Sequence, residues 1–125
     1  MSREALRIVV PMPPNIGNGS HGHWAVRNKQ RTAYLKALDM LQAVGQIPPP
    51  PTKPLERVEL DSVMRLSRMM DHDNAVRRHK WVLDWLKTRR YIADDSPAHL
   101  TWTSFPEQQI KRWDRYEIIL ELQPL

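Results

Sequence analysis

Within Asp71-His72-Asp73-Asn74, in the middle of the chain, two acids at i and i+2 next to an asparagine form a dense knot of oxygen donors. Two carboxylates this close repel each other. At ~4 Å the cost is about 1 kcal/mol in water and about 4 kcal/mol at an effective dielectric near 20. A divalent cation removes that cost. Magnesium in particular takes oxygen ligands, usually one or two carboxylates completed by waters and a substrate phosphate. The same residues also suit a plain structural role, because Asp71 or Asp73 can cap the first turn of a helix whose leading N–H groups lack acceptors.

The residues that follow set the context for that knot. Asp73 to Arg90 has helical spacing. At about 100° per residue, Asp73, Arg77, Lys80 and Asp84 fall on one stripe, while Val76, His79, Leu83 and Leu86 fall on another. The second stripe should face the core. The first then sets cations behind the acidic pair, an arrangement suited to phosphoryl transfer, in which a metal sits on the carboxylates and a positive group steadies developing charge. Read structurally, it is a salt-bridged exposed face, with Asp73 and Arg77 as an i,i+4 pair. Asp94-Asp95 follows the helix in a short turn, Ala93 to Pro97. A third carboxylate returning to the helix start would complete a metal site, although adjacent acids in turns are usually solvated. Trp81 and Trp85 lie beside the polar stripe, and Trp102 and Trp113 add to a high tryptophan count. Core packing, a dimer interface and a stacking surface for unpaired bases all suit tryptophan; for the helical pair a dimer interface is favoured. His21 and His23 share a polar loop and, without further ligands nearby, read as solvated.

The elements that must position these groups follow from periodicity and punctuation. Ala5 to Val10 reads as a strand stopped by Pro11, with Pro11-Met12-Pro13-Pro14 extended and Asn15 to His23 a loop. Lys29 to Val44 reads as a helix ended by Gly45, and its start is basic. Pro48 to Pro51 and Pro54 make a stiff connector. Glu56 to Ser67 reads as a strand with a bulge where the apolar alternation slips. His99 to Ser104 and Tyr116 to Leu122 read as two further strands, with Pro106 to Asp114 a polar turn between them. The order β-α-β-α-β-β implies one α/β domain, a mixed sheet with two helices packed on it.

Bulk properties narrow the function. The 125 residues suit one domain. The absence of cysteine excludes thiolate metal sites, cysteine nucleophiles and disulfides. A net charge of +5 and a pI near 9.9 lean toward an anionic partner such as nucleic acid. No apolar run approaches the ~18 residues of a membrane span, and the charged start (Arg3, Glu4, Arg7) lacks a signal-peptide core, so a cytoplasmic protein with no membrane partner is expected.

Taken in order, these segments resemble the RusA family of Holliday junction resolvases over nearly the full length. The opening strand with Pro11-Met12-Pro13-Pro14-Asn15 is similar to that family's P-x-P-P start. A polar loop and basic helix with Tyr34 follow, then the core motif Asp71-His72-Asp73-Asn74, a helix end Asp84-Trp85-Leu86 similar to D-A-L, and the pair Asp94-Asp95. The resemblance implies a homodimeric, magnesium-dependent (manganese as the alternative ion) endodeoxyribonuclease. Such an enzyme resolves four-way DNA junctions in recombination and repair. Asp71, Asp73 and Asp95 would be metal ligands, and Asn74 would position the site. The family's catalytic lysine stands four residues after the second aspartate, where this chain has Arg77; Lys80 lies three residues further and keeps the spacing to Asp84-Trp85-Leu86. Either cation could serve, but arginine cannot give up a proton as lysine can.

Arg27, Lys29, Arg31, Arg65, Arg68 and Arg78 are the candidate phosphate contacts, each adding to the salt dependence of binding. Two rivals stand beside the nuclease expectation: a catalytically idle junction-binding protein of the same fold, and an interaction protein whose tryptophans mark a partner surface.

Overall fold

A computed structural model describes residues 4–14 and 24–125; His21 and His23 lie outside them. The described residues form β1 (Leu6–Pro11), α1 (Trp24–Ala43), β2 (Val58–Leu66), α2 (His72–Arg77), α3 (Lys80–Thr88), β3 (Leu100–Trp102), β4 (Glu107–Ile110) and β5 (Glu117–Pro124). The sheet runs β1-β5-β2-β3, with β4 also on β2. Strand β5 lies antiparallel between β1 and β2, whereas β3 and β4 run parallel to β2. A mixed sheet in a single small α/β domain is therefore present, as the element order implies. No helix among the described residues is long and apolar enough to cross a membrane.

Burial explains which elements periodicity finds. Ile8 and Val10 of β1, and Ile118, Leu120 and Leu122 of β5, are sealed from solvent together with Leu38, Met64 and Leu86. Helix α1 begins five residues before the expected Lys29, because residues Trp24 to Gln30 are all exposed and carry no apolar stripe to reveal them. Its end is as read: Gly45 adopts φ 81°, Gly45 N–H donates to Gln42 O, and Gln46 N–H donates to Leu41 O. This Schellman pairing favours glycine at the left-handed position. The same closure ends α3 at Arg90, φ 67°, with Arg90 N–H on Lys87 O and Tyr91 N–H on Leu86 O.

Three expectations need correction. Strand β2 has no bulge; its register against β5 is unbroken from Val58↔Pro124 to Met64↔Ile118. The inward face is Val58, Leu60, Ser62, Met64 and Leu66, and the apolar alternation slips in the sequence only because a polar serine takes an inward place. Residues Pro106 to Asp114 are not all turn, since β4 pairs there with Val63 to Leu66. The helix from Asp73 to Arg90 is interrupted at Arg78 and His79. There the His79 imidazole Nδ1 takes Ala75 O at 2.8 Å, and His79 N–H turns to Val76 O at 3.0 Å. A side chain thus claims the carbonyl that the i→i−4 ladder would use, and the chain tightens for one turn.

Candidate functional site

The acidic corner forms where β2 leaves the sheet and turns into α2. Gln108 of β4 grips the connection from both sides: its carbonyl accepts from Met70 N–H and its amide donates to Met70 O, each at 2.8 Å. Asp71 follows in extended conformation (φ −68°, ψ 162°) as the N-cap of α2. Asp71 Oδ1 accepts from Asn74 N–H at 2.8 Å, and Oδ2 accepts from the Asn74 side-chain amide at 3.2 Å. Such a cap contributes about 0.5–2 kcal/mol. Asp71, His72 and Asp73 are exposed. The capping role and the outward display of two carboxylates thus coexist, and Asn74 is the residue that orients the first acid.

The outward stripe is present past the interruption. Asp73, Arg77 and Lys80 are exposed and Asp84 is half-buried, while His79, Leu83 and Leu86 face the core. Asp95 does return to this rod, but to its second half. Lys80 Nζ lies 3.1 Å from Asp84 and 3.9 Å from Asp95; Lys87 Nζ lies 3.6 Å from both Asp94 and Asp95; Arg31 lies 3.7 Å from Asp84. Three acids and three cations therefore alternate. Asp95 N–H donates to Asp94 Oδ1 at 2.9 Å. That bond, the Ser96 side chain and Lys87 hold the Asp94 carboxyl below its ordinary range, and Asp95, with Asp94 and Asp84, raises the Lys87 ammonium above its own.

Asp71, Asp73 and Asp95 do not form one cluster. Among the described residues, no three Asp, Glu or His side chains stand close enough together to hold a metal ion. The physical reason is plain: with lysines at hand, Asp95 sits against cations and not beside two more carboxylates. The donors at the corner, Asp71 and Asp73, are of the right chemistry for a hard divalent cation, which needs only one or two carboxylates from the protein. Asp95 stands apart from them.

No protein-family model matches the sequence, and no curated protein matches it.

The candidate phosphate contacts divide by exposure. Arg27, Lys29 and Arg68 are exposed. Arg31 is shared with Asp84, and Arg78 donates from Nε to Pro13 O at 3.0 Å, its partial burial lowering the guanidinium's affinity for its proton. Arg65 pairs with Glu117 at 3.3 Å and lies over the Trp113 ring, 4.8 Å from its centre, with Lys111 Nζ 4.1 Å from the same ring. Arg31, Arg65 and Arg78 thus have work within the fold.

The tryptophan pair, expected at a dimer interface, lies inside the fold. Trp81 and Trp85 are 6 % and 2 % exposed, so they are core and not an interface. Trp81 packs near Tyr34, Trp85 stacks on Tyr91, and Trp85 Nε1 donates to Asp39 at 2.8 Å, an acid that Arg89 also binds at 2.7 Å. Spacing alone does not separate this arrangement from an exposed aromatic stripe.

Sequence reasoning missed the pairing of Ser62 with His79. Ser62 is 2 % exposed and His79 is sealed; their Oγ and Nε2 are 2.6 Å apart. Because Ala75 O can only accept, Nδ1 carries the proton, and the serine hydroxyl donates to Nε2. Burial pushes the imidazole down to about 4. The pair looks like part of a hydrolytic triad, but its third member is a backbone carbonyl and solvent does not reach it, so it locks the helix interruption to β2.

Proposed function

We propose that the chain is a divalent-metal-dependent endodeoxyribonuclease that cuts branched DNA, with four-way junctions the expected substrate in recombination and repair, and that it works as a homodimer. The observation that carries this reading is the exposed Asp71–Asp73 pair, set at a strand-to-helix corner and followed on one stripe by Arg77 and Lys80. The basic composition and the ordered resemblance of the motifs support it. A magnesium or manganese ion held there would supply Lewis acidity and an activated water. The chain's own part is to hold the ion on Asp71 and Asp73, to keep Asp71 aimed through Asn74, and to place Lys80 or Arg77 beside the phosphate where charge develops. Arg27, Lys29 and Arg68 would track the DNA backbone. Asp95 joins this set only if it exchanges Lys80 and Lys87 for the metal. Two metal sites related by a two-fold axis would match a two-fold junction.

A second reading, a junction-binding protein that no longer cuts, is favoured by one fact: Lys80 and Asp95 are engaged with each other and with Asp84 and Lys87. Cleavage of an immobile four-way junction, with magnesium or with chelator, separates the two. The nuclease reading expects nicking that chelator stops and that falls more than about 100-fold in Asp73→Asn, with junction binding retained. Binding without nicking in either metal would establish the idle reading.

A further inference from the structure

Strands β3 and β4 are one edge strand with a break in it. Both run parallel to β2, which advances three residues from Leu60, opposite Trp102, to Val63, opposite Glu107, while the edge strand advances five. Two extra residues are thus thrown out of the ladder. Bulges of this kind re-aim side chains beside functional sites. The excursion is pinned at both ends: Thr103 N–H and Oγ1 donate to Leu60 O at 2.9 and 3.2 Å, and Pro106 is buried. Beyond it, Gln108 grips Met70 at the root of the acidic corner. At the tip stands Phe105, 59 % exposed. Its ring stacks on His72, with centres 4.1 Å apart and planes 23° apart, and His72 is the residue between the two acids.

We infer that Phe105, backed by His72, is a stacking platform for an unpaired nucleobase next to the acidic corner. This rests on the nucleic-acid reading above and names the part of the substrate that the corner would select. A scattered exposed phenylalanine means little. Here a two-residue bulge, anchored at both ends, delivers the ring to the one histidine flanked by the candidate metal ligands. An exposed aromatic face offers a nucleobase a stacking surface and offers a phosphate no donor, so a base and not the DNA backbone suits the ring. Bases within a duplex are already stacked, whereas every unpaired base has a free π-face, and branch points supply such bases. Arg68, exposed on the same β2–α2 connection, is available for the adjoining phosphate.

The test uses the full chain in metal-free buffer and two DNA probes: a single strand, and a four-way junction with an unpaired base at its centre. In each, the unpaired position carries 2-aminopurine, whose fluorescence falls on stacking. The parent protein should quench both probes. Phe105→Leu should lose the quenching and bind the single strand at least about fivefold more weakly, and Phe105→Trp should restore both. Affinity for a fully paired duplex should be the same in all three, with thermal unfolding verifying that each is folded. Equal quenching by Phe105→Leu and the parent, or no DNA binding by the parent, would overturn the inference. A parent that quenches but never cuts in magnesium would refute the nuclease reading and leave the platform standing. A parent that cuts while Phe105→Leu stacks normally would refute the platform alone.

Discussion

Two acidic stations lie along α2 and α3, two carboxylates at the first and three at the second, and Asp71 of the first meets different partners from the acids of the second. At the first, Asp71 receives neutral N–H groups from Asn74, and Asp73 stands exposed in the opening turn. At the second, Asp84, Asp94 and Asp95 alternate with Arg31, Lys80 and Lys87. A carboxylate bonded by amides keeps its charge and its attraction for a cation; one bonded by lysines has that attraction already met. Counting acids in a motif thus says little about metal binding until the counter-charges are known. Asp95 must change partners to serve a metal.

The buried Ser62–His79 lock at the helix interruption separates the two stations, and disturbing it should have the largest effect. Ser62→Ala leaves the imidazole nitrogen without a donor inside the core and should cost about 1–3 kcal/mol, measured by chemical denaturation. The lock also predicts a pH dependence. His79 is held neutral in the fold, down to about 4, below its ordinary value of 6.5. Between those values the unfolded chain binds the proton more readily, so stability rises with pH there. The contribution, on the order of 3 kcal/mol, should be complete above about pH 6.5 and fade as pH falls toward 4. A melting temperature that does not change across this window would refute the assignment.

Relieving one ion pair at the second station should have a smaller effect. Lys87→Met removes a cation from Asp94 and Asp95 but touches nothing at the first station. Exposed pairs of this kind contribute little to stability. If Asp95 must leave Lys87 to reach the metal, the magnesium concentration for half-maximal cleavage should fall about two- to fivefold. An unchanged metal dependence would place Asp95 outside the metal site.

Much of this architecture is legible in the residues themselves. The inward stripe of His79, Leu83 and Leu86, the Gly45 stop and the strand character of β1, β2 and β5 all follow from burial patterns that leave a period in the sequence. What was not legible depends on long-range pairing. Ser62 looked like a slip in the alternation because its partner lies 17 residues away on another element. Strand β4 is exposed on both faces along most of its length, so it shows no apolar alternation, and its pairing is set by β2. The helix interruption turns on one imidazole bonding its own backbone. At the candidate site, the acidic corner could be located from four residues, but the destination of Asp95 could not, since an adjacent pair of acids in a turn has no period or partner in the sequence.

Binding of manganese(II), followed by its electron paramagnetic resonance signal with an immobile four-way junction present, tests most directly whether the corner holds a hard cation. The parent chain should deplete the free-ion signal beyond the junction alone and Asp71→Asn and Asp73→Asn should not, while both variants still shift the junction in a gel. Equal depletion by the parent and both variants, or none by the parent beyond the junction alone, would contradict a cation held at the corner.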